Sequence, residues 1–259
     1  MKRLITICAI PKLLFICLLA LTLLPISAYA VLVDLGTAAD FAILGSTGVT
    51  NTGSSTFVGD VGSSPTPGIS GITASMVTGT LYLATDSVTT LAHTDLITAY
   101  TEAHNATGGG AGPADLGGAL LTPGIYTYAA IAPWTSGTLT LDAQFDPSAQ
   151  WIFQIGSALT TPASAAVALI NGASANNVFW QIGSTLTLGA TNAFAGNILA
   201  QTSINLGGGS LDGRALAVNG LVSISVAENI NVPTNVPEPT TICLLGFGVL
   251  SMVRRKKSA

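Results

Sequence analysis

The side chains that could support metal or acid–base chemistry are few and widely spaced. His93 and His104 are the two histidines of the chain. Eleven residues separate them, which on a helix places them on one face but about 16 Å apart along the axis. Two imidazoles at that distance do not bind the same metal ion. The histidine spacing therefore predicts no metal site.

Carboxylates are the other possible source of catalysis. Asp142 and Asp146 flank a predicted turn, and Asp60 and Asp115 each adjoin a glycine, a pattern typical of turns. A glycosidase pair needs two carboxylates about 5 to 9 Å apart, a distance that the sequence does not define. The chain has no Gly-x-Ser-x-Gly elbow, no phosphate-binding glycine loop and no EF-hand loop. We expect no catalysis, no metal and no cofactor.

Basic and thiol side chains are concentrated at the two ends of the chain. Seven of the eight Lys and Arg residues lie there. Between positions 31 and 235, Arg214 is the one basic residue and there are eleven acidic residues, so this region has a net charge of −10. A region without a basic patch is not expected to bind nucleic acid. Cys8, Cys17 and Cys243 also lie in the ends, which excludes disulfides and cysteine metal sites from the middle.

The N-terminal end has the three parts of a secretory signal. A cationic start is followed by the apolar run Leu13–Leu24, and Ala28 and Ala30 are the small residues that signal peptidase requires. An uncleaved membrane anchor is the alternative. The pattern predicts a signal peptide over residues 1–30 and export through the inner membrane.

The C-terminal end combines a short motif, an apolar segment and a basic cluster. The motif is Pro237, Glu238 and Pro239, the apolar segment is 240–253, and Arg254 and Arg255 begin the cluster. A helix over the segment would be about 21 Å long, short for a hydrocarbon core of about 30 Å. The basic cluster is expected to stay cytoplasmic.

This order resembles the PEP-CTERM sorting signal of Gram-negative bacteria. The resemblance implies transient membrane insertion and cleavage near Pro237–Pro239 by an exosortase-type enzyme, which would leave the protein at the cell surface or outside the cell. An ordinary tail anchor is the alternative. We predict a sorting signal over residues 236–259 and an exported domain over residues 31–235.

The exported domain reads as a β protein with one helix. An apolar stripe predicts a helix over about residues 85–105. Elsewhere, short alternating segments recur: residues 151–160 are echoed by 178–187, and 196–200 by 213–217. Self-similarity on this scale favours stacked coils of a β-solenoid. A β-sandwich is the alternative.

Small polar residues flank the inward-facing Leu and Ile of several predicted strands. Side chains alternate along a strand, so these polar residues would point outward, about 6.8 Å apart along a strand and 4.8 Å between coils. Thr160, beside Leu159, is a looser member of the set. An ordinary exposed strand face is the alternative, since Thr is common there. The candidates for one flat binding face are Thr138, Thr140, Thr185, Thr187, Ser203, Asn205, Ser223 and Ser225.

Three parts of the domain resemble the ice-binding-like family. They are residues 35–62 in the opening, 95–126 in the middle and 196–204 in the last third. The resemblance implies a discontinuous right-handed β-solenoid of triangular section, one long helix packed alongside, and ice binding through a flat face without a cofactor. The family's Thr-Ala/Gly-x-Thr/Asn motif is matched by Thr47, Gly48, Val49 and Thr50.

Two functions are compatible with these features. The first is an exported protein that binds ice or ordered water and acts by recrystallisation inhibition, ice adhesion or antifreeze activity. The alternative is a structural or adhesive component of the envelope or extracellular matrix that binds polysaccharide and has no ice activity. Both use a neutral outer face and the same sorting tail.

Overall fold

A computed structural model describes residues 33–83 and 86–233 of the chain. The predicted signal peptide with Ala28 and Ala30 lies outside the described residues. The predicted sorting motif Pro237–Pro239, with Arg254 and Arg255, lies outside them as well.

The described residues form short strands, one α-helix and three short 3-10 segments. The helix is α1 (Ser87–Asn105). The strands in chain order are β1 (Phe41–Gly45), β2 (Gly48–Asn51), β3 (Thr56–Val58), β4 (Asp60–Ser63), β5 (Ile69–Ser70), β6 (Val77–Thr78), β7 (Gly110–Ala111), β8 (Leu120–Leu121), β9 (Gly124–Tyr128), β10 (Thr138–Asp142), β11 (Trp151–Ile155), β12 (Leu159–Thr160), β13 (Ala166–Ile170), β14 (Val178–Ile182), β15 (Leu186–Leu188), β16 (Asn192–Ala200), β17 (Ile204–Leu206), β18 (Gly209–Ala217), β19 (Leu221–Ile224) and β20 (Glu228–Asn231).

Successive strands wind into coils with three faces. Most coils contribute one strand to each face, but the coil that contains β9 and β10 has no strand on face two. Face one contains β7, β9, β11, β14, the second halves of β16 and β18, then β1 and β4. Face two contains β12, β15, β17, β19, β2 and β5. Face three contains β8, β10, β13, the first halves of β16 and β18, then β20, β3 and β6.

The pairing between neighbouring strands is parallel on all three faces. Parallel stacking is what a solenoid requires, because each coil repeats the path of the one below it. A β-sandwich is built from antiparallel sheets, so that alternative is wrong. The predicted class, mainly β with one helix alongside, is confirmed.

The coils do not stack in the order of the sequence. β1 pairs with β18 on one side and β4 on the other, with Ile43 opposite Ala215. The N-terminal coils therefore continue the stack beyond the C-terminal coil, while the segment after α1 starts the other end. This is the discontinuity that the family resemblance implied.

The core is filled by the repeated segments found in the sequence. Residues 151–155 lie in register with 178–182, so Phe153 is opposite Trp180 and their ring centroids are 4.0 Å apart. Phe194 from the third face packs on Trp180 at 4.9 Å. Burying each large apolar side chain stabilises the fold by roughly 1.5–3 kcal/mol. In a coil without disulfides, this stack supplies the main support for the outer faces.

The bend between faces three and one depends on glycine. Gly196 in β16 and Gly213 in β18 are paired, and both have positive φ, 115° and 154°. A Cβ at Gly213 would overlap the backbone of Gly196. Glycine at both positions lets one strand serve two faces.

Candidate functional site

Face one is covered by the helix. The side chain of Asp86 caps α1 by accepting from the amides of Val88 at 2.9 Å and Thr89 at 3.0 Å. Its buried stripe is Thr89, Ala92, Leu96, Ala99 and Ala103. The predicted helix is thus confirmed, with its first turn at Ser87. A covered face cannot meet a large flat ligand.

Polar side chains of face one fasten the helix to the sheet. Gln154 donates to the carbonyls of Ala103 at 2.9 Å and Ala106 at 2.8 Å near the helix C-terminus. Gln181 donates to the hydroxyl of Tyr100 at 2.7 Å. The pKa of Tyr100 is raised by burial, partly offset by this bond. These contacts leave faces two and three as the outer surfaces.

Face two carries an unbroken column of small, uncharged polar side chains. The strand register places its members next to one another in successive coils, and most of them alternate with a buried apolar residue such as Leu186 or Ile204. At about 4.8 Å per coil, six members span about 24 Å. This column, the face-two ladder, consists of Thr160, Thr187, Asn205, Ser223, Thr50 and Ser70.

A second, shorter column begins two residues earlier in the strands. Thr185 and Ser203 precede Leu186 and Ile204, which are opposite each other. The hydroxyls of Thr185 and Thr202 are hydrogen-bonded at 2.8 Å. Further along, the column continues as Leu221 opposite Gly48, so it loses its polar character.

Ser225 follows the last residue of β19 and is exposed. Its carbonyl accepts from the Thr52 hydroxyl at 3.0 Å, and its own hydroxyl donates to the Leu206 carbonyl at 3.2 Å. Ser225 therefore sits at the margin of face two and its hydroxyl is used within the fold.

The structure divides the eight predicted candidates between two sheets. Thr138 and Thr140 lie on β10 in face three, opposite Ala166 and Ala168. The prediction that they share a face with the others is wrong. Alternation shows that a side chain points outward, but it does not show which of the three faces carries it.

Two ladder members were not among the candidates that strand alternation predicted for the flat face. Thr50, predicted only through the four-residue motif, lies between Ser223 and Ser70. Ser70 was missed because β5 has two residues, too few for alternation to be read. Gly68 and Gly71 on either side of β5 were the available signal for a short strand between turns.

The remaining motif residues lie at the entrance to β2. Thr47 is exposed in the turn before the strand, and its amide donates to the Gly220 carbonyl at 3.1 Å. Gly48 is paired with Leu221, and Val49 is fully buried in the core. The motif thus places one side chain, Thr50, in the ladder.

The carboxylates considered for catalysis stabilise turns. Asp115 accepts from the Thr135 hydroxyl and, at 2.9 Å, from the Gly117 amide; these bonds lower its pKa. Asp60 accepts from the Thr80 amide at 2.7 Å. Asp142 accepts from the Gln144 amide at 2.8 Å. Such bonds fix loops between coils.

The described part of the chain contains neither a cluster of metal-binding side chains nor a membrane-spanning helix. His93 Nε2 is hydrogen-bonded to the Val218 carbonyl at 2.8 Å, which ties α1 to a loop of the coil. Among residues 33–83 and 86–233, no three His, Cys, Asp or Glu side chains are grouped to hold a metal ion. Over the same ranges, no helix has the length and hydropathy needed to cross a membrane.

Two family models match the sequence. The model described as Ice-binding-like matches residues 43–230, which covers the ladder and all three faces. The PEP-CTERM protein-sorting motif matches residues 235–257. The two matches are adjacent and do not overlap, as expected for a folded domain followed by a sorting tail.

Individual relatives agree with the family models. An ice-binding protein of Nostoc sp. (strain HG1) is 41% identical over 235 residues, 85% of this chain and 84% of that protein. An ice-binding protein of Flavobacterium frigoris (strain PS1) is 38% identical over 208 residues, 72% of each chain. The crystal structure of an ice-binding protein from an Antarctic Biological Consortium has a TM-score of 0.71 and 38% identity, covering 77% of this chain and 90% of that one.

Proposed function

This chain belongs to the ice-binding-like family, and from that premise we propose that it is an exported protein that binds ice through face two. The observation that carries the proposal is the face-two ladder, whose six members are small, neutral and in register over successive coils. Ice is a flat periodic surface, so a flat periodic array of short polar groups is a suitable counterpart.

Side-chain entropy favours this choice of residues. Immobilising a long, flexible side chain at an interface costs about 0.5–1.5 kcal/mol. Thr187 and Thr50 have one rotatable bond to a heavy atom and are held by strands on both sides. The array is therefore positioned before it meets ice. Its hydroxyl and methyl groups would order water into a layer that merges with the lattice.

The absence of charged side chains from the ladder also favours ice binding by face two. The ladder contains no ionisable side chain, whereas the acidic residues of the described chain lie in turns, on α1 and on the other faces. A carboxylate or ammonium group would bind water strongly in its own geometry. A neutral surface leaves the water free to adopt the lattice spacing.

The rest of the chain supports a passive, exported role. We assign residues 1–30 to a signal peptide and residues 236–259 to a sorting signal processed by an exosortase-type enzyme, with residues 31–235 as the exported domain. The assigned role needs no catalysis. The polysaccharide-binding matrix alternative receives no support from the family models or from the named relatives.

The direct test measures ice recrystallisation inhibition and thermal hysteresis of residues 31–235. The blocking variant is Thr187→Tyr, which places a ring in the ladder. Its matched control is Thr138→Tyr, on a strand with the same Thr-Leu-Thr pattern in face three. We expect the first to remove most activity and the second to retain it, with both folded by circular dichroism.

Two results would contradict the proposal in different ways. A folded native domain without ice activity would remove the function while leaving the fold. Loss of activity in Thr138→Tyr with retention in Thr187→Tyr would keep the function and move it to face three.

A further inference from the structure

We infer that the domain is held at the cell surface by the corner between faces one and three, so that face two points away from the cell. The inference rests on the proposed function for the identity of the ice-binding face. It does not follow from the fold alone, because the sorting tail could have left the coil at any corner.

The described chain ends at that corner. β20 runs along face three, and after it the Val232 amide donates to the Val58 carbonyl at 2.9 Å. The Pro233 carbonyl then accepts from Asn176 Nδ2 at 3.1 Å. Asn176 lies in the segment that connects β13 of face three to β14 of face one. Pro233 is thus placed where faces one and three meet, opposite face two.

A buried arginine holds the exit point in place. Arg214 Nε donates to the Ala39 carbonyl at 2.7 Å, and Nη1 donates to Asn176 Oδ1 at 3.0 Å and Asn197 Oδ1 at 2.6 Å. Burial lowers the pKa of Arg214 to about 10, so it remains charged at neutral pH. Through Asn176, the same network reaches Pro233. The position at which the tail leaves is fixed by the interior of the coil.

The tether that follows is too short to reach around the coil. Only three residues separate Pro233 from Pro237, and four residue steps span at most about 14 Å. Crossing one side of the coil, from Asn177 before β14 to Gly183 after it, takes six residue steps, about 20 Å. The domain therefore cannot turn face two toward an anchor attached at Pro237.

The other end of the described chain also avoids face two. The Asp34 amide donates to Glu102 Oε2 of α1 at 3.2 Å, which places the start of the domain beside the helix on face one. Face two is consequently the side that both chain ends leave clear. A protein held in this way would bind ice on the far side from the cell and would attach the cell to ice.

Single cysteines can test this orientation, because the exported domain contains none. The full chain is expressed in cells that export and process it, with Asn205→Cys on face two or Thr80→Cys at the corner between β6 and face one; both side chains are exposed. Cells are treated above freezing with a bulky, membrane-impermeant maleimide. The soluble domain with the same substitutions gives the reference labelling rates.

We expect the ratio of cell to soluble labelling to be close to unity for Asn205→Cys and several-fold lower for Thr80→Cys. The chain without an added cysteine reports any background from Cys243. Equal ratios, a lower ratio for Asn205→Cys, or recovery of the chain in the medium would overturn the orientation. The labelling does not involve ice, so a failure of ice binding would appear only in the recrystallisation assay.

Discussion

Faces two and three are built by the same coils but differ in what they present. The face-two ladder is polar and neutral in each of its six strands. The corresponding column on face three changes character along its length. It runs Thr138, Ala166, Ala193, Ser210, Asn229 and Thr56.

The inward side chains of the two faces do not differ in this way. Leu139 and Leu211 on face three and Leu186 and Ile204 on face two are all fully buried. Folding requires these inward positions to be apolar but places little constraint on the outward ones. The uniformity of the ladder is thus not needed to make the coil, which is why it indicates a function.

The largest effect is expected where the two faces are alike. Ile204→Ala on face two and Leu139→Ala on face three should each destabilise the domain by about 2–5 kcal/mol, because each leaves a cavity in the shared core. Urea unfolding measures both. A much smaller loss for one of them would show that the two faces are not supported by the same core.

The next largest effect should be a difference in thermal hysteresis between Tyr variants on face two and on face three. Asn205→Tyr and Asn229→Tyr replace exposed asparagines at outward positions of β17 and β20. We expect the first to lose most of its thermal hysteresis, because the added ring stands in the ladder. The second should stay near the native value. Equal losses would mean that both faces take part.

The stability of the domain should depend on pH through Glu228, which lies at the corner between faces two and three. Burial raises the pKa of Glu228 to about 7, above its ordinary value of about 4.3. The folded state binds this proton more tightly than the unfolded state. Stability from this group is therefore greatest below pH 4.3 and declines as the pH rises through 7, by on the order of 1 kcal/mol.

Glu228→Gln tests that effect directly. The variant should be more stable than the native domain at pH 8, with a smaller decline between pH 5 and pH 8 in thermal unfolding. Ice activity at pH 5 and pH 8 should stay equal, since Glu228 points into the coil. A steeper decline in the variant would show that the ionised carboxylate is stabilised in the folded state.

The smallest effect should come from removing one hydroxyl. Thr187→Val keeps the shape and one methyl group of Thr187 and removes its hydroxyl. A hydrogen bond of such a hydroxyl has a net worth of about 0.5–1.5 kcal/mol. We expect a partial loss of thermal hysteresis, smaller than that of Asn205→Tyr. Thr138→Val is the control on face three. An unchanged Thr187→Val would assign the binding to the methyl groups.

The sequence predicted the stacking of strands and the outward side chains, but it did not predict which face each side chain lies on. The echo of residues 151–160 in 178–187 predicted stacked strands, and the structure pairs them in register. Alternation predicted which side chains point outward. It could not separate Thr138 from Thr187, because a strand carries no local record of its face, which is set by the number of residues between corners.

The order in which the coils stack could not be predicted from local sequence patterns. The pairing of β1 with β18 joins segments that are far apart in the chain, and neither segment contains the other's pattern. Only the family resemblance implied the discontinuity. The two-residue strand β5 marks the opposite limit, a segment too short to show any period.

That discontinuity has a consequence for how the protein is made. Ser223 and Thr50 are neighbours in the ladder although 173 positions separate them in the chain. Synthesis delivers the N-terminal coils first, yet the edges of β1, β2 and β3 that pair with β18, β19 and β20 stay without partners until those last coils have formed. Contacts of such long range are slow to form. The binding surface is therefore complete only once nearly the whole domain has left the ribosome, and a chain cut short between β15 and β19 would have two partial ladders.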